Sequence, residues 1–136
     1  MNRKTLAAVA GACLILLQAA CGGSSSSPAA PSPPSPSLGA KDPAFVGMWT
    51  GTIDGSFGPA EMYVQLTADG TSQFAGSGRY CRADGEWGVS GTEFTTRGTD
   101  CTGTIVTMVA PASGTKLIGT WRASSGRSGT FSVTKQ

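Results

Sequence analysis

The 136-residue chain contains no histidine. That removes the side chain that most often exchanges protons near neutral pH, and with it Ser-His and Cys-His nucleophile pairs and imidazole-built metal centres. Charge is sparse: ten Lys and Arg stand against eight Asp and Glu, 13% of residues in all, with no run of one sign. Neither a nucleic-acid-binding stripe nor a polybasic membrane patch can be assembled from such a pattern. Long hydrophobic runs are missing too. The longest, Leu6 to Leu17, has 12 residues, well short of the roughly 20 that span a bilayer as a helix. From Ala44 onward no segment repeats its apolar residues with helical spacing.

What is present divides the chain into three parts. Asn2-Arg3-Lys4 gives a short basic start, the apolar run follows, and Gln18-Ala19-Ala20-Cys21-Gly22-Gly23 ends it. This stretch resembles the export signal and lipobox of bacterial lipoproteins. It departs from them at Gln18, since the expected aliphatic residue sits one place earlier at Leu17. The resemblance implies removal of residues 1–20 and a lipid-bearing Cys21 at the new N-terminus. Gly22, rather than aspartate, follows the cysteine, and the resemblance then points to the outer membrane, on its periplasmic or surface face. Cys13 would leave with the signal. The remaining chain carries eight basic and eight acidic residues, because Arg3 and Lys4 are lost and every acid lies later.

Residues 21–43 form the second part, the cysteine and a tether of Gly, Ser, Ala and Pro, with Pro28, Pro31, Pro33, Pro34 and Pro36 close together. Such a composition buries no core, and its prolines favour extended backbone. At about 3.1 Å per residue the tether reaches at most roughly 70 Å.

The third part, residues 44–136, reads as all-β. Eight segments rich in Val, Ile, Thr and aromatics alternate in polarity: 45–54, 60–68, 72–81, 85–90, 93–97, 102–110, 116–123 and 128–135. Asp54-Gly55, Asp69-Gly70, Asp84-Gly85, Ser90-Gly91, Ser113-Gly114 and Ser125-Gly126 mark turns between them. Period-two alternation places Phe45, Trp49 and Ile53 on one face of the first segment. The same rule aligns Met62 with Val64 and Leu66, Leu117 with Trp121, and Phe131 with Val133. The sixth segment is ambiguous, because Ile105 and Val109 oppose Val106 and Met108. Glycine stands two places before an aromatic at Gly47-Trp49, Gly78-Tyr80, Gly85-Trp87, Gly119-Trp121 and Gly129-Phe131. That spacing puts the glycine and the ring on one side of a strand, and glycine permits sharp bending. The pattern predicts a small eight-stranded up-and-down meander barrel, with an antiparallel β-sandwich as the alternative.

Gly47-Met48-Trp49 early and Trp121-Arg122 late are similar to the Gly-x-Trp start and the basic late strand of lipocalins and related calycin barrels. The resemblance implies a Trp closing one barrel end beneath a basic side chain, with Arg122 or Arg127 in that role, and a small apolar ligand. This chain is shorter than a lipocalin and lacks the C-terminal helix. Size, one disulfide and Gly47-x-Trp49 also resemble periplasmic metalloprotease inhibitors, which implies a protein partner instead.

Cys81 and Cys101 are the cysteines left in the domain, and in an exported protein such a pair is expected as a disulfide; a two-thiol metal site without histidine is the poorer alternative. Asp84, Glu86 and Asp100 flank the pair but read as turn carboxylates, with Arg79, Arg82 and Arg97 nearby to balance them. No catalytic residue, metal site or cofactor is assigned, and the chain is expected not to be an enzyme. Phe45, Trp49, Phe74, Tyr80, Trp87, Trp121 and Phe131 are the candidates for the barrel interior or for lining a ligand. So many rings in about 93 residues predict a filled barrel. The expected function is that of a lipid-anchored, noncatalytic binding protein of the bacterial envelope. A small apolar ligand or an envelope protein is its expected partner, with no role for nucleic acid; a structural envelope role without a pocket is the other alternative.

Overall fold

The computed structural model describes residues 38–78 and 81–136. Cys21, the export signal, the tether up to residue 37, and Arg79 and Tyr80 lie outside the described residues. Eight strands follow in order: β1 (Gly47–Gly55), β2 (Ala60–Leu66), β3 (Thr71–Gly76), β4 (Ala83–Ser90), β5 (Glu93–Asp100), β6 (Ile105–Pro111), β7 (Lys116–Ala123) and β8 (Ser128–Lys135). Each pairs antiparallel with the next, and β8 returns to β1 through seven residue pairs from Trp49↔Lys135 to Gly55↔Gly129. The molecule is therefore a closed up-and-down barrel and not a sandwich. Closure gives every strand a neighbour on both sides, so no strand keeps a whole free edge that could recruit another chain.

Glycines make so tight a barrel possible. A Cβ on Gly51 would fall 1.9 Å from the Ser132 carbonyl oxygen, and one on Gly129 would fall 1.8 Å from that of Asp54. Here the backbones of β1 and β8 approach more closely than any side chain allows, and the sheet coils at that point.

Several segments differ from the sequence reading. Strand β3 ends at Gly76 and β4 already begins at Ala83, so Asp84-Gly85 lies inside a strand paired on both sides and does not form a turn. Phe45 is not in a strand but ends a 3₁₀ turn, Pro43–Phe45, which Asp42 caps by accepting from the Ala44 N–H at 2.9 Å. β5 runs on to Asp100, and β6 starts only at Ile105, because Asp100 holds the intervening turn. Its carboxylate accepts from the N–H groups of Thr102 at 2.8 Å and Thr104 at 3.0 Å. The ambiguous strand β6 turns Met108 and Ala110 inward, and Val106 packs on the same side. Ile105 and Val109 stay half-exposed on the other face.

The last residues of the tether also differ. Leu38 to Asp42 lie against the barrel, and Ala40 exchanges two backbone hydrogen bonds of 2.8 Å with Val89. The cause is a shortage of partners on β4. Strand β3 covers it only from Ala83 to Glu86, so the amide and carbonyl of Val89 need partners from elsewhere. Lys41 adds a hydrogen bond from Nζ to the Trp87 carbonyl oxygen.

The core is densely filled at one end. Phe45 stacks on Trp49 and Phe94, with ring centroids 6.0 and 5.8 Å apart, and Trp87 meets Phe94 at 6.3 Å. Trp49 and Trp87 are fully buried, and their indole N–H groups donate to the carbonyls of Phe45 and Thr67, each at 2.9 Å. Rings of this size dominate core energetics, and truncating one costs about 3–5 kcal/mol. Leu66, Met108, Leu117 and Val133 are buried with them. Two buried hydroxyls, Ser72 and Thr96, are hydrogen-bonded to each other at 2.7 Å, and Thr96 also bonds the Glu86 carbonyl oxygen at 3.0 Å.

Candidate functional site: the open mouth

The two ends of the barrel are unlike because the inward side chains shrink along the strands. On β4 the inward series towards the second end is Trp87, Gly85, Ala83; on β5 it is Phe94, Thr96, Gly98. Large rings close the first end and small residues leave the second hollow. The expectation of a filled barrel therefore holds at one end only. The other end contains a hollow of about 570 Å³, within the about 300–1,000 Å³ of typical ligand sites.

Ile53, Met62, Phe74, Val106 and Trp121 wall this hollow, with Phe57 over it from the β1–β2 turn. The two deeper rings lie against glycines. Phe74 Cε1 sits 3.0 Å from where a Gly98 Cβ would be, and Trp121 covers both Gly55 and Gly129. The Trp121 indole N–H donates to the Asp54 carbonyl oxygen at 2.9 Å. Its one donor is thus committed to the wall, and the hollow meets only its ring face or edge. Phe57 and Trp121 have centroids 5.8 Å apart.

The rim is built from turns. Cys81 and Cys101 form a disulfide, with Cα atoms 5.5 Å apart, that ties the β3–β4 connection to the β5–β6 turn. Asp100 lies on the same rim, engaged by its own turn. Its carboxyl is held below the ordinary carboxylate value by hydrogen bonds from Thr102, foremost the hydroxyl at 2.6 Å, and by the Thr104 amide. Arg127, in the β7–β8 turn, sets its guanidinium 5.4 Å above the centre of the Phe57 ring.

Of the seven interior candidates, Phe45, Trp49, Phe74, Trp87, Trp121 and Phe131 are buried, while Tyr80 lies outside the described residues. Only Phe74 and Trp121 among them reach the hollow. The sequence patterns do not single out Phe57 or Phe94, although Phe57 stands in a Ser-Phe-Gly-Pro turn where an aromatic has no strand to fill. The resemblance to lipocalins implies Arg122 or Arg127 above Trp49, and neither is there. Arg122 points outward because Trp121 beside it points in, and Arg127 stands at the opposite end. The basic group near Trp49 is Lys135, its strand partner, whose Nζ donates to the Ala44 carbonyl oxygen at 2.7 Å. Asp84 pairs with Arg82 at 3.1 Å on the surface, and Glu86 lies opposite Arg97 in register. Among the described residues no three acids or cysteines converge as a metal site would require.

The chain matches no protein-family model and no curated protein. Among solved structures it is similar to a designed protein described as a "De novo design of a fluorescence-activating beta barrel", with a TM-score of 0.56 and 19% identity. The similarity covers 68% of this chain and 94% of that one. It shows a shared architecture, an eight-stranded antiparallel barrel.

Proposed function

We propose that the domain is a noncatalytic binder of a small apolar ligand, held in the open mouth of the barrel. The observation that carries this reading is the asymmetry of the interior: a ring-packed closed end, and an apolar hollow of about 570 Å³ at the other. Burying hydrocarbon there stabilises a complex by about 25 cal/mol per Å² of apolar surface removed from water, less the cost of association. The designed barrel of similar fold is described as fluorescence-activating, and a role of that kind on this architecture is compatible with ligand binding here. A contiguous outer patch at Ile118, Val106 and Met108 would favour a protein partner. Met108 is buried and Val106 packs inward, so Ile118 alone of the three is strongly exposed. That supports the mouth over the outer face.

The setting proposed is the bacterial envelope, with the chain anchored through lipid on Cys21, in the outer membrane. The strap Leu38–Asp42 meets the barrel at its closed end. The absence of histidine and the engagement of Asp100 by its own turn support a noncatalytic role.

Native mass spectrometry of the chain from Gly22 onward, exported to a periplasm and purified without detergent, tests the binding role. The expected result is an adduct of small-molecule mass that disappears on denaturation, or that forms when decanol is added. A bare mass in both conditions would refute it.

A further inference from the structure

We infer that the mouth selects apolar molecules carrying one anionic group, with Arg127 receiving that group at the rim. The inference rests on the mouth being the ligand site and adds the chemical class of the ligand. Among the described residues, the polar side chains that line the hollow besides Trp121, namely Asp100, Thr102, Thr104, Ser125 and Arg127, all belong to the rim, and the deeper wall is apolar. The Trp121 N–H is spent on Asp54, and the buried Ser72 and Thr96 bond each other away from it. A polar group on a ligand would lose its hydration inside without gaining a partner, and that penalty drives it towards the rim. The ligand is therefore apolar at one end and polar at the other, entering apolar end first.

The rim then decides the sign. Among the described residues two charged side chains line the hollow there, Asp100 and Arg127. Asp100 is already saturated on the oxygen that faces its turn, accepting from the Thr102 amide at 2.8 Å, the Thr102 hydroxyl at 2.6 Å and the Thr104 amide at 3.0 Å. All three bonds fall on Oδ1 and fix the carboxylate against its own turn, while Oδ2 carries none of them. Arg127 has no carboxylate partner among the described residues, and its only described side-chain contact is the face of Phe57. Packing on that ring holds the guanidinium at the lip while its N–H donors stay open to solvent. A planar, five-donor fork in this state suits a carboxylate, which it can bind through two parallel hydrogen bonds.

The test is calorimetric titration with three probes of equal chain length: decanoate, decanol and decyltrimethylammonium. Each is measured on the chain from Gly22 onward, which keeps the strap and all of the barrel, and on its Arg127→Gln and Arg127→Lys variants. Arg127 is exposed, and near-UV circular dichroism verifies that both variants keep the packed core. The expected result is that Arg127→Gln weakens decanoate about tenfold, the size of a lost charge-assisted hydrogen-bond pair. Decanol should be unchanged, the cationic probe should bind no more weakly than before, and Arg127→Lys should restore part of the loss. Equal effects on acid and alcohol, or none on either, would overturn the role of Arg127 while leaving an apolar mouth standing. Failure of all three probes to bind wild-type protein would overturn the mouth reading itself.

Discussion

Trp121 reaches across β8 to donate a hydrogen bond from Nε1 to the carbonyl oxygen of Asp54, 67 positions earlier in the chain, at 2.9 Å. The intervening residue is Gly129, and a Cβ there would lie 2.7 Å from that same Nε1. One indole thus clasps three consecutive strands and forms part of the mouth wall. Gly129→Ala should destabilise the barrel by about 1–3 kcal/mol or more, as overpacking does. Trp121→Phe should cost less in hydrogen bonding, about 1 kcal/mol, besides the volume lost. Urea unfolding followed by circular dichroism measures both. A neutral Gly129→Ala would show that the clasp is not tight.

At the closed end, Phe45→Ala removes the ring that stacks on both Trp49 and Phe94. The expected loss is about 3–5 kcal/mol. Binding of decanol in the mouth should change little, because distant sites are nearly independent. A comparable loss of ligand affinity would mean that the two ends are coupled.

The disulfide at the rim closes a segment of 20 residues. Replacing Cys81 and Cys101 together by serine should lower stability by about 2–4 kcal/mol on the chain-entropy account. Thiol labelling of the unreduced wild type should detect neither cysteine. Two reactive thiols would contradict the bridge.

Lowered carboxyl pKa values predict an acid limb of stability. Asp69 is held down chiefly by the Thr67 hydroxyl and Asp100 by that of Thr102, both from an ordinary value of 3.8. A depressed folded-state pKa contributes stability that is complete above the unfolded value and drains as pH falls through the folded one. Melting temperature should therefore drop as pH falls below about 4, and less steeply in Asp100→Asn than in wild type. Identical slopes would remove Asp100 from the account.

Much of this fold was legible because strand alternation is a local property. The spans of β7 and β8 match those expected from the sequence. Three of the five glycines that precede an aromatic, Gly85, Gly119 and Gly129, stand where a Cβ would collide with a neighbouring strand. The inward face of β6 was not legible, since both of its faces are apolar and only register with Thr96 and Phe94 decides. Nor was the strap, whose Gly-Ala-Lys composition says nothing of the bare β4 edge it meets. The hollow escapes a sequence reading for a different reason. Counting rings treats the interior as one volume, whereas it is their placement, with Trp87 two inward steps from Ala83, that leaves one end open.

Anchoring is separately testable. Cys21→Ser should release the protein from membranes, and persistent extraction by detergent alone would contradict a lipid on that residue.

The most direct test of the central claim is a two-dimensional amide NMR titration with decanol, which has no charge to complicate the reading. The account predicts shifts confined to the mouth, at Ile53, Ala83, Val106 and Ala123, with Leu66 and Phe94 unmoved. Shifts centred on the closed end or on the outer face at Ile118, or none at saturating decanol, would contradict it.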